Sequence, residues 1–512
     1  VVDLFQVLNA DDFECRVLSL QLMGAENHDG CFAAIRQSRE RTKLTSPLLF
    51  PSPLPVTPER RLSFYSVDSK AVSLLPPAAV REEDVEVLPY CENIDSNFDT
   101  LSLPEAIFGL LNAMVGLSVL SLPYAFSLVG VSVGLTTLFL IIAIMRHTGV
   151  LVGRSLRLAA SRSDLASVPA KSRDFAFLAR AAFGEAGGAI IGIVTGIEVW
   201  CALITFMAFE TANSEFVFPN VSRTSSTAFN CVLAAGCALL PMKVFTYVSL
   251  ASSLAVLVMG VAVVVACAPA LFANPALSAS SEGIFSHSFS NLRSLPKTIG
   301  IIIFCFAGHP CFPVMHECLR DKKDYTKVVN VSFLLSLLFY CAFGSIGCIA
   351  FGSSVHQSVI QSLADLTGAR AAFWQHIAAV ATFVKVQLTA PLLLNTILVA
   401  LWPSPLKSED GTMKSVILRT FLLLALSSVS GVVAVFFADD VGVLAALTGN
   451  ILVMMTSVLF PVLSFEMLSK QSGEENTSRR MLHVIVFGLG CLVAVIGTIQ
   501  TLSDFISGRK VS

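Results

Sequence analysis

Two hydrophobic segments of this chain are interrupted by polar residues, glycine and proline, at Asn112-Ala-Met-Val-Gly-Leu-Ser-Val-Leu-Ser-Leu-Pro-Tyr-Ala125 and at Phe304-Cys-Phe-Ala-Gly-His-Pro-Cys-Phe-Pro313. Each segment is otherwise apolar enough to cross a bilayer. Backbone groups that leave helical pairing at membrane depth are tolerated only where protein buries them or where they line a cavity. Two interrupted segments at corresponding places in a chain therefore predict the substrate site of a secondary transporter.

The composition is that of a polytopic, all-α membrane protein. Of the 512 residues, 54% are hydrophobic and 14% are charged, whereas soluble domains carry about 25% charged residues. The net charge of −2 gives no indication of a nucleic-acid partner. The 13 cysteines form no Cys-x-x-Cys pair, so we interpret them as small buried hydrophobic residues and expect no metal or cofactor. Motifs for nucleotide hydrolysis or intramembrane catalysis are missing, so we do not expect an enzyme.

The first hundred residues differ from the rest of the chain. They contain a proline-rich run at 46–58 and an acidic run at 81–86, and such a composition cannot bury enough apolar area to offset chain entropy. We predict a disordered cytoplasmic tail over residues 1–100 and a transmembrane transporter domain over residues 101–508. Within the tail, Arg60-Arg61-Leu62-Ser63 resembles a site for a basophilic kinase.

The transmembrane domain holds eleven apolar segments, counted at about 20 residues per crossing. Pro241 divides the fourth segment from the fifth because proline breaks a helix. Numbered one to eleven, the predicted segments are residues 104–126, 129–152, 187–211, 226–242, 244–272, 294–317, 326–351, 371–401, 415–438, 441–466 and 482–507. The interrupted segments are thus the first and the sixth.

Basic residues indicate the orientation. Lys and Arg concentrate in the loops that follow even-numbered segments, which the positive-inside rule assigns to the cytoplasm. The N-terminus is then cytoplasmic and the C-terminus lies on the opposite side. The loops of that opposite side hold Arg223, Arg293, Lys297 and Arg370. One of them also holds Asn220-Val-Ser222, an acceptor sequence for N-glycosylation at Asn220.

At the first interruption, we predict that Asn112, Gly116, Ser118 and Ser121 bind substrate. Gly116 lets the backbone leave the helix, and the two serines supply hydroxyls. Asn112 lies one helical turn before Gly116, on the same face. A half-helix that starts after the interruption would direct N–H groups and a positive dipole end at an amino-acid carboxylate. The alternative is a kink that serves packing alone.

At the second interruption, we predict that Phe306, Gly308 and His309 bind substrate. Gly308 lets a ligand approach the backbone closely. His309 could accept a transported proton, since histidine titrates near neutral pH. It could equally do no more than satisfy backbone groups that the interruption frees, and the sequence leaves both roles open.

Segment eight carries the one lysine that the sequence places inside the membrane, Lys385, on one face with Thr382 and Thr389. A buried ammonium costs about 2.5–3.5 kcal/mol at mid-bilayer, so it should face a cavity or a partner. The alternative is that the side chain snorkels to the surface. We assign Lys385 and Thr389 to ion coupling, and we regard Glu198 of segment three as a candidate proton carrier.

Three other features have plainer interpretations. Glu210, nearer the outer end of segment three, is expected to be interfacial. His316 and Glu317, at the cytoplasmic end of segment six, are expected to form a solvated pair. Small residues four apart predict a tightly packed helix face in segment three, at Gly184, Gly188, Gly192 and Gly196.

Several stretches resemble the amino acid/auxin permease family. Residues 107–125, which end in Leu122-Pro-Tyr-Ala125, resemble its first helix. Residues 298–313, with the pattern Phe-x-Phe-x-Gly-His-x-x-Phe-Pro, resemble its sixth helix, and residues 173–184 resemble its cytoplasmic loop before helix three. Residues 446–450 and 459–461 fit helix ten. The resemblance covers about residues 100–508.

One branch of this family is most similar. Residues 383–391, Phe-Val-Lys-Val-Gln-Leu-Thr-Ala-Pro, resemble helix eight of the vesicular inhibitory amino acid transporters, and His147-Thr-Gly149 is similar to that branch as well. The chain departs from the animal members in its tail and at His309. A GABA or glycine substrate is therefore not carried over.

The resemblance implies a leucine-transporter-type fold of the APC superfamily. In that fold, ten of the eleven helices form two inverted five-helix repeats, helices one and six begin the repeats, and substrate binds where these two helices are broken. Helices one and eight often hold a sodium ion between them. Lys385 would project where such an ion sits, so we expect its ammonium to replace sodium and the coupling to be to protons.

We therefore expect proton-coupled secondary active transport of amino acids by alternating access, with amino acids and protons as the partners. The branch resemblance favours antiport on an endomembrane, such as a vesicle, vacuole or lysosome, over the plasma membrane. The alternative is an amino-acid sensor that signals through its N-terminal tail, and a passive channel is a third class. The sequence leaves the substrate side chain and the oligomeric state open.

Overall fold

The computed structural model describes residues 100–508 apart from Ala166, Pro241, residues 274–291, Thr367, residues 402–412 and residues 474–476. Within this part of the chain the regular structure is helical, with one isolated bridge between Leu101 and Leu319. The predicted tail and its kinase-type tetrapeptide lie outside the described residues.

The helices are interrupted where the sequence predicts. Segment one consists of half-helix 1a, Leu103–Met114, and half-helix 1b, Leu122–Val129, with the 3₁₀ turn Leu117–Ser121 between them and a bend of 50°. Segment six consists of half-helix 6a, Leu295–Cys305, and half-helix 6b, Phe312–Cys318, with the 3₁₀ turn His309–Cys311 between them. Prolines at the start of 1b and 6b suit a first helical turn, where their missing N–H is not needed.

The other segments are single helices, except that segment three is kinked at Gly184 and segment ten contains π-helical turns. Segments two, three, four, five, seven, eight, nine and eleven are Val131–Ala160, Phe175–Ala212, Arg223–Cys237, Met242–Ala273, Tyr325–Phe351, Ala369–Leu401, Met413–Phe436 and Thr477–Ile506. Segment ten runs through Val441–Thr448, the π-helical turns Gly449–Val453 and Met455–Leu459, and Phe460–Gln471. Short helices at Ser214–Val217 and Val359–Ser362 lie in loops.

Nine helices of the described residues are long and apolar enough to cross a membrane, and the bent pair of segment one makes ten. Segment four is the exception, because its helix has 15 residues. Its length is about 22 Å, against a hydrocarbon core of about 30 Å. It is nevertheless a helix separate from segment five, as the sequence predicts from Pro241. Eleven crossings remain a prediction.

The start of segment one is tied to the end of segment six. Ser102 and Glu105 form a reciprocal capping box that begins half-helix 1a. Just before it, the Leu101 N–H donates to the Cys318 carbonyl at 2.7 Å, and the Arg320 N–H donates to the Leu101 carbonyl at 3.0 Å. The two interrupted segments are therefore hydrogen-bonded to each other at this end.

The second half of each interrupted segment packs its aromatic ring on glycine. Phe126 of half-helix 1b lies against Gly134 of segment two and Gly344 of segment seven, and a Cβ at either glycine would come within 3 Å of the ring. Phe312 of half-helix 6b lies in the same way against Gly149 of segment two. The rings occupy space that any other residue would fill at these positions.

The predicted glycine stripe of segment three is not a packing face among the described residues. Gly184 has φ of +73°, which breaks the helix there, and Cβ atoms at Gly192 and Gly196 would have nothing within 4 Å. The prediction is wrong because helix spacing alone does not say which face meets a neighbour. Backbones approach closely instead between Gly300 of half-helix 6a and Gly449 of segment ten.

Gly449→Ala should destabilise the protein, because the new methyl group would overlap the Gly300 carbonyl oxygen. We expect a loss of about 1–3 kcal/mol, typical of overpacking, measured as a lower midpoint of thermal unfolding in detergent. Gly192→Ala is the matched control, since its methyl group would enter open space. Equal midpoints for the two variants would contradict the close contact.

Candidate functional site

The two interruptions face each other. The Tyr340 hydroxyl of segment seven lies 3.0 Å from the Met114 carbonyl oxygen and 2.8 Å from the Cys305 carbonyl oxygen. Met114 and Cys305 end half-helices 1a and 6a, and the final carbonyls of a helix have no partners within it. A Cβ at Gly308 would lie 3.5 Å from Met114 Cγ, so the backbone of the second interruption passes close to the first.

Tyr340 was not among the residues predicted from the sequence. The side chain is fully buried, and its ring packs edge-on against Phe306 with the centroids 5.1 Å apart. A buried tyrosine hydroxyl usually finds a hydrogen-bond partner. The sequence therefore held one signal for Tyr340: it is a tyrosine inside an apolar segment, in a chain whose interrupted helices leave carbonyls that need a donor. The spacing along the chain does not tell which carbonyls it reaches.

The residues predicted at the first interruption fall in different places. Ser118 is buried, and its hydroxyl contacts the Cys305 thiol, so it lies between the two interruptions. Gly116 has extended backbone at the turn itself. Ser121 instead donates to the Gln357 carbonyl at 2.6 Å, in the loop after segment seven. The Ser121 hydroxyl is therefore engaged away from the facing carbonyls.

His309 is fully buried and is held by one ring nitrogen. Its Nε2 lies 3.1 Å from the Thr148 hydroxyl and 3.1 Å from the Met145 carbonyl oxygen, both in segment two. Its ring stacks on Phe312 with the centroids 4.5 Å apart. The other nitrogen, Nδ1, has no hydrogen-bond partner among the described residues. The ring thus contacts segment two and not the backbone groups that the interruption frees, and the proton-accepting role stays a prediction.

Lys385 is buried and does not snorkel. It is 4% exposed, and its Nζ donates to the Ser252 hydroxyl of segment five at 2.7 Å. The Ser252 hydroxyl is also 3.1 Å from the Thr389 hydroxyl, and the adjacent Ser253 donates to Asn112 at 2.7 Å. Segment five thus connects the lysine to the first interruption. Within the described ranges, no carboxylate pairs with Nζ.

Glu198 is buried beside the second interruption. Segment three, which carries it, packs against the 3₁₀ turn His309–Cys311 and against the π-helical part of segment ten. Its Oε2 and the nearby Thr195 hydroxyl have no hydrogen-bond partner in the described part of the chain. π-helical turns occur frequently at functional sites. A buried ionisable group inside a membrane segment is itself a candidate for function.

The prediction that Glu210 is interfacial is wrong. Glu210 is 4% exposed, and its Oε1 accepts a hydrogen bond from Gln387 Nε2 at 2.8 Å. Gln387 belongs to segment eight, which covers this face of segment three. Position along a segment indicates depth, but it does not indicate which face a neighbouring helix covers.

The prediction that His316 and Glu317 form a solvated pair is also wrong. Both are buried, and the His316 Nδ1 lies 2.9 Å from Glu317 Oε1. Glu317 Oε2 accepts from Lys322 Nζ at 2.6 Å and lies 3.7 Å from an Arg173 nitrogen. Arg173 comes from the loop before segment three, which folds over this end of segment six and excludes water from it.

Two further predictions concern modification and metals. Asn220 lies in an exposed turn between the helices Ser214–Val217 and Arg223–Cys237, so glycosylation there remains a prediction. The cysteines of the described residues are free thiols. Among those residues, no group of three or more His, Cys, Asp or Glu side chains is arranged to hold a metal ion.

A family model described as "Transmembrane amino acid transporter protein" matches residues 99–503. The chain belongs to this family. It is 26% identical to amino acid transporter AVT1C of Arabidopsis thaliana over 419 residues, which are 79% of this chain and 70% of that protein. It is 21% identical to the vesicular GABA transporter of Caenorhabditis elegans over 314 residues, 59% of this chain and 60% of that protein. A solved manganese transporter of Eremococcus coleocola aligns at 13% identity and a TM-score of 0.44, covering 82% of this chain and 93% of that one.

Family membership confirms the resemblance read from the interrupted segments. The chain is a multi-pass membrane protein of a family that transports amino acids across membranes. The relatives named above are transporters rather than enzymes. The facing interruptions, the buried lysine and the buried glutamates are therefore features of a transport domain.

Glu317→Gln should lower the stability of the protein, because it leaves Lys322 and Arg173 without the carboxylate that they share. We expect a loss of about 1–3 kcal/mol, reduced from the fully buried case because Lys322 is half exposed. Thermal unfolding in detergent would measure it. Asp164→Asn, which breaks the exposed Arg162–Asp164 pair, should leave the midpoint unchanged. An unfolding midpoint of Glu317→Gln equal to that of wild type would show that the ion pairs of Glu317 contribute nothing to stability.

Proposed function

We propose that the chain is a proton-coupled secondary active transporter of amino acids that alternates access around its two interrupted segments. The observation that carries the proposal is the convergence of half-helices 1a and 6a on one buried hydroxyl. A buried lysine connected to the first interruption and a buried glutamate beside the second support it. Alternating access requires inward- and outward-open states that differ by only a few kcal/mol.

The interruptions provide groups for both ends of an amino acid. The 3₁₀ turn Leu117–Ser121 and half-helix 1b form one continuous helical stretch, and the N–H groups and positive dipole end at its start suit a carboxylate. Half-helices 1a and 6a end in carbonyls at the negative ends of their dipoles, which suit an ammonium. Ser121 would contribute through its backbone, since its hydroxyl bonds to Gln357. The proposed contacts are Asn112, Gly116, Ser118, Ser121, Phe306, Gly308 and His309.

Coupling is to protons in this proposal, with the ammonium of Lys385 in place of a sodium ion. Nζ donates to the Ser252 hydroxyl, which in turn contacts the Thr389 hydroxyl, and Nζ has no carboxylate partner within the described residues. Loss of its proton would remove a charge next to Ser252, and the neighbouring Ser253 of the same helix is hydrogen-bonded to Asn112. Glu198, with one unpartnered oxygen, is the proposed second proton carrier.

The proposed architecture has eleven crossings, a cytoplasmic N-terminus and two inverted five-helix repeats followed by a last helix. The interruptions fall in segments one and six, five segments apart, and Phe126 and Phe312 pack on glycine alike. For segment four, the large exposed side chains Phe229 and Val232 support contact with lipid despite the short helix. The vesicular relative supports antiport on an endomembrane, where a proton gradient would load the lumen with amino acids.

Uptake of labelled amino acids into proteoliposomes tests the function directly. The pH gradient is imposed in each direction with sodium absent. Uptake driven by one direction and collapsed by a protonophore supports proton coupling, and the effective direction separates symport from antiport. Uptake that appears only with sodium would contradict the role of Lys385. Saturation and counterflow distinguish a transporter from a channel.

Lys385→Ala should abolish proton-driven uptake while the protein still folds, because no ammonium remains to gain and lose a proton. Thr382→Val is the matched control. Thr382 is buried one turn away, and its hydroxyl donates to the Ala378 carbonyl of its own helix at 2.9 Å, so uptake should persist. Unchanged uptake in Lys385→Ala would contradict the proposal.

Glu198→Gln should retain exchange of labelled for unlabelled substrate but lose acceleration by a pH gradient, since an amide cannot carry a proton. Glu210→Gln is the control, because Glu210 is buried in the same segment but is hydrogen-bonded to Gln387. Both uptake modes are measured for both variants. Equal gradient dependence in Glu198→Gln and wild type would remove Glu198 from the coupling pathway.

A sensor that signals through its N-terminal tail is the second candidate. The observation in its favour is the pair of backbone hydrogen bonds that joins Leu101, just after the tail, to Cys318 at the end of segment six and to Arg320 just beyond it. Through them, a change at the substrate site could reach the tail. Deletion of residues 1–95 separates the two candidates, because a transporter keeps its flux whereas a sensor loses its output.

A further inference from the structure

We propose that the Tyr340 hydroxyl takes the place of the substrate's ammonium group in the empty carrier, and that a substrate must displace it from the carbonyls of Met114 and Cys305. The inference rests on the proposed function and deepens it, since it concerns the same site. It makes Tyr340 a positioning residue that sets the balance between the empty and the loaded carrier.

One hydroxyl donor lies between two carbonyl acceptors. The carbonyl oxygens of Met114 and Cys305 lie 3.0 Å and 2.8 Å from the Tyr340 oxygen. A hydroxyl has one proton, so it can bond strongly to only one of the two carbonyls at a time. Both carbonyls stand at the negative ends of half-helix dipoles. The arrangement therefore offers more acceptor capacity than Tyr340 can satisfy.

A primary ammonium fits the carbonyls of Met114 and Cys305 better than a hydroxyl does. A primary ammonium has three N–H donors and a positive charge. It can donate to both carbonyls at once and to the phenolic oxygen, and charge-assisted bonds are about twice as strong as neutral ones. A carboxylate has no donor for these three oxygens. The chemistry therefore selects ligands with a free ammonium, and it excludes their N-acetylated forms.

The two carbonyls need a hydrogen-bond donor when no substrate is bound. Without the hydroxyl, the two carbonyls of the empty site would be buried and unpaired, which costs more than an ordinary hydrogen bond contributes. Tyr340 is fully buried between Phe306 and Phe339, with ring centroids 5.1 Å and 6.0 Å away. These rings hold the hydroxyl in place. The hydroxyl thus lets the empty site close, as a carrier must do to return without cargo.

Tyr340→Phe tests the inference in proteoliposomes. The variant keeps the ring but leaves the carbonyls of the empty site without a donor, so the empty state rises in free energy and the loaded state rises less. We expect the half-saturating concentration of an α-amino acid to fall about fivefold, the factor expected for one hydrogen bond. Exchange should persist, whereas net uptake, which requires the empty carrier to return, should slow.

Tyr325→Phe is the matched control. Tyr325 lies on the same segment, is buried, and donates to the Gly149 carbonyl at 2.8 Å, away from the interruptions. The Tyr325→Phe change removes the same hydroxyl as Tyr340→Phe does, also from a buried position. We expect the half-saturating concentration and the ratio of exchange to net uptake to match wild type.

Two results would overturn the inference. A higher half-saturating concentration in Tyr340→Phe would mean that the hydroxyl serves mainly to bind substrate, and an unchanged one would mean that it does not compete. If the variant fails to fold, the wild-type protein decides. Amines without a carboxylate should raise its midpoint of thermal unfolding and N-acetyl amino acids should not, and equal effects would overturn the inference.

The same thermal measurement separates this inference from the proposed function. Wild-type protein that takes up no amino acid would contradict transport. An amine that stabilises Tyr340→Phe more than wild type would still support displacement of the hydroxyl. Stronger stabilisation of wild type would contradict it, whatever the uptake assay shows.

Discussion

Backbone groups opened at membrane depth must find partners inside the protein, and the rest of this structure depends on that constraint. Half-helices 1a and 6a end in the same region, so their freed carbonyls share one hydroxyl from segment seven. The Ser118 hydroxyl and the Cys305 thiol contact each other there. Polar chemistry is thereby concentrated in one place within an apolar domain. In the proposed function, that place is where a substrate with charged ends exchanges partners with the protein.

The pattern of interruptions could be predicted from the sequence because it is local. Gly116 and Gly308 let the backbone leave the helix, and the prolines that follow them suit the first turn of a new one. The burial of Lys385 could be predicted too, since its position within a long apolar segment gives its depth. Separate helices around Pro241 follow from the same kind of local argument. Family membership likewise rests on motifs that are contiguous in the chain.

The sequence predictions that proved wrong are those that depend on which segments are neighbours. Glu210 is buried because segment eight covers it, and Glu317 is buried because Arg173 and Lys322 converge on it. Gly192 and Gly196 of segment three meet no neighbour, whereas Gly300 and Gly449 bring two backbones together. Tyr340 was missed for the same reason. Periodicity reports which residues share a face, and only the packed fold reports what that face meets.

The glycines beneath Phe126 and Phe312 have a consequence for motion. Helix surfaces that interlock through side chains resist sliding, because ridges must climb over one another. A flat ring on bare glycine backbone presents no such ridge. At these contacts, half-helices 1b and 6b therefore meet segments two and seven through a ring packed on glycine backbone, without interlocking side chains. A side chain at any of these three glycines would press against a ring, so movement of half-helix 1b or 6b at these contacts requires glycine.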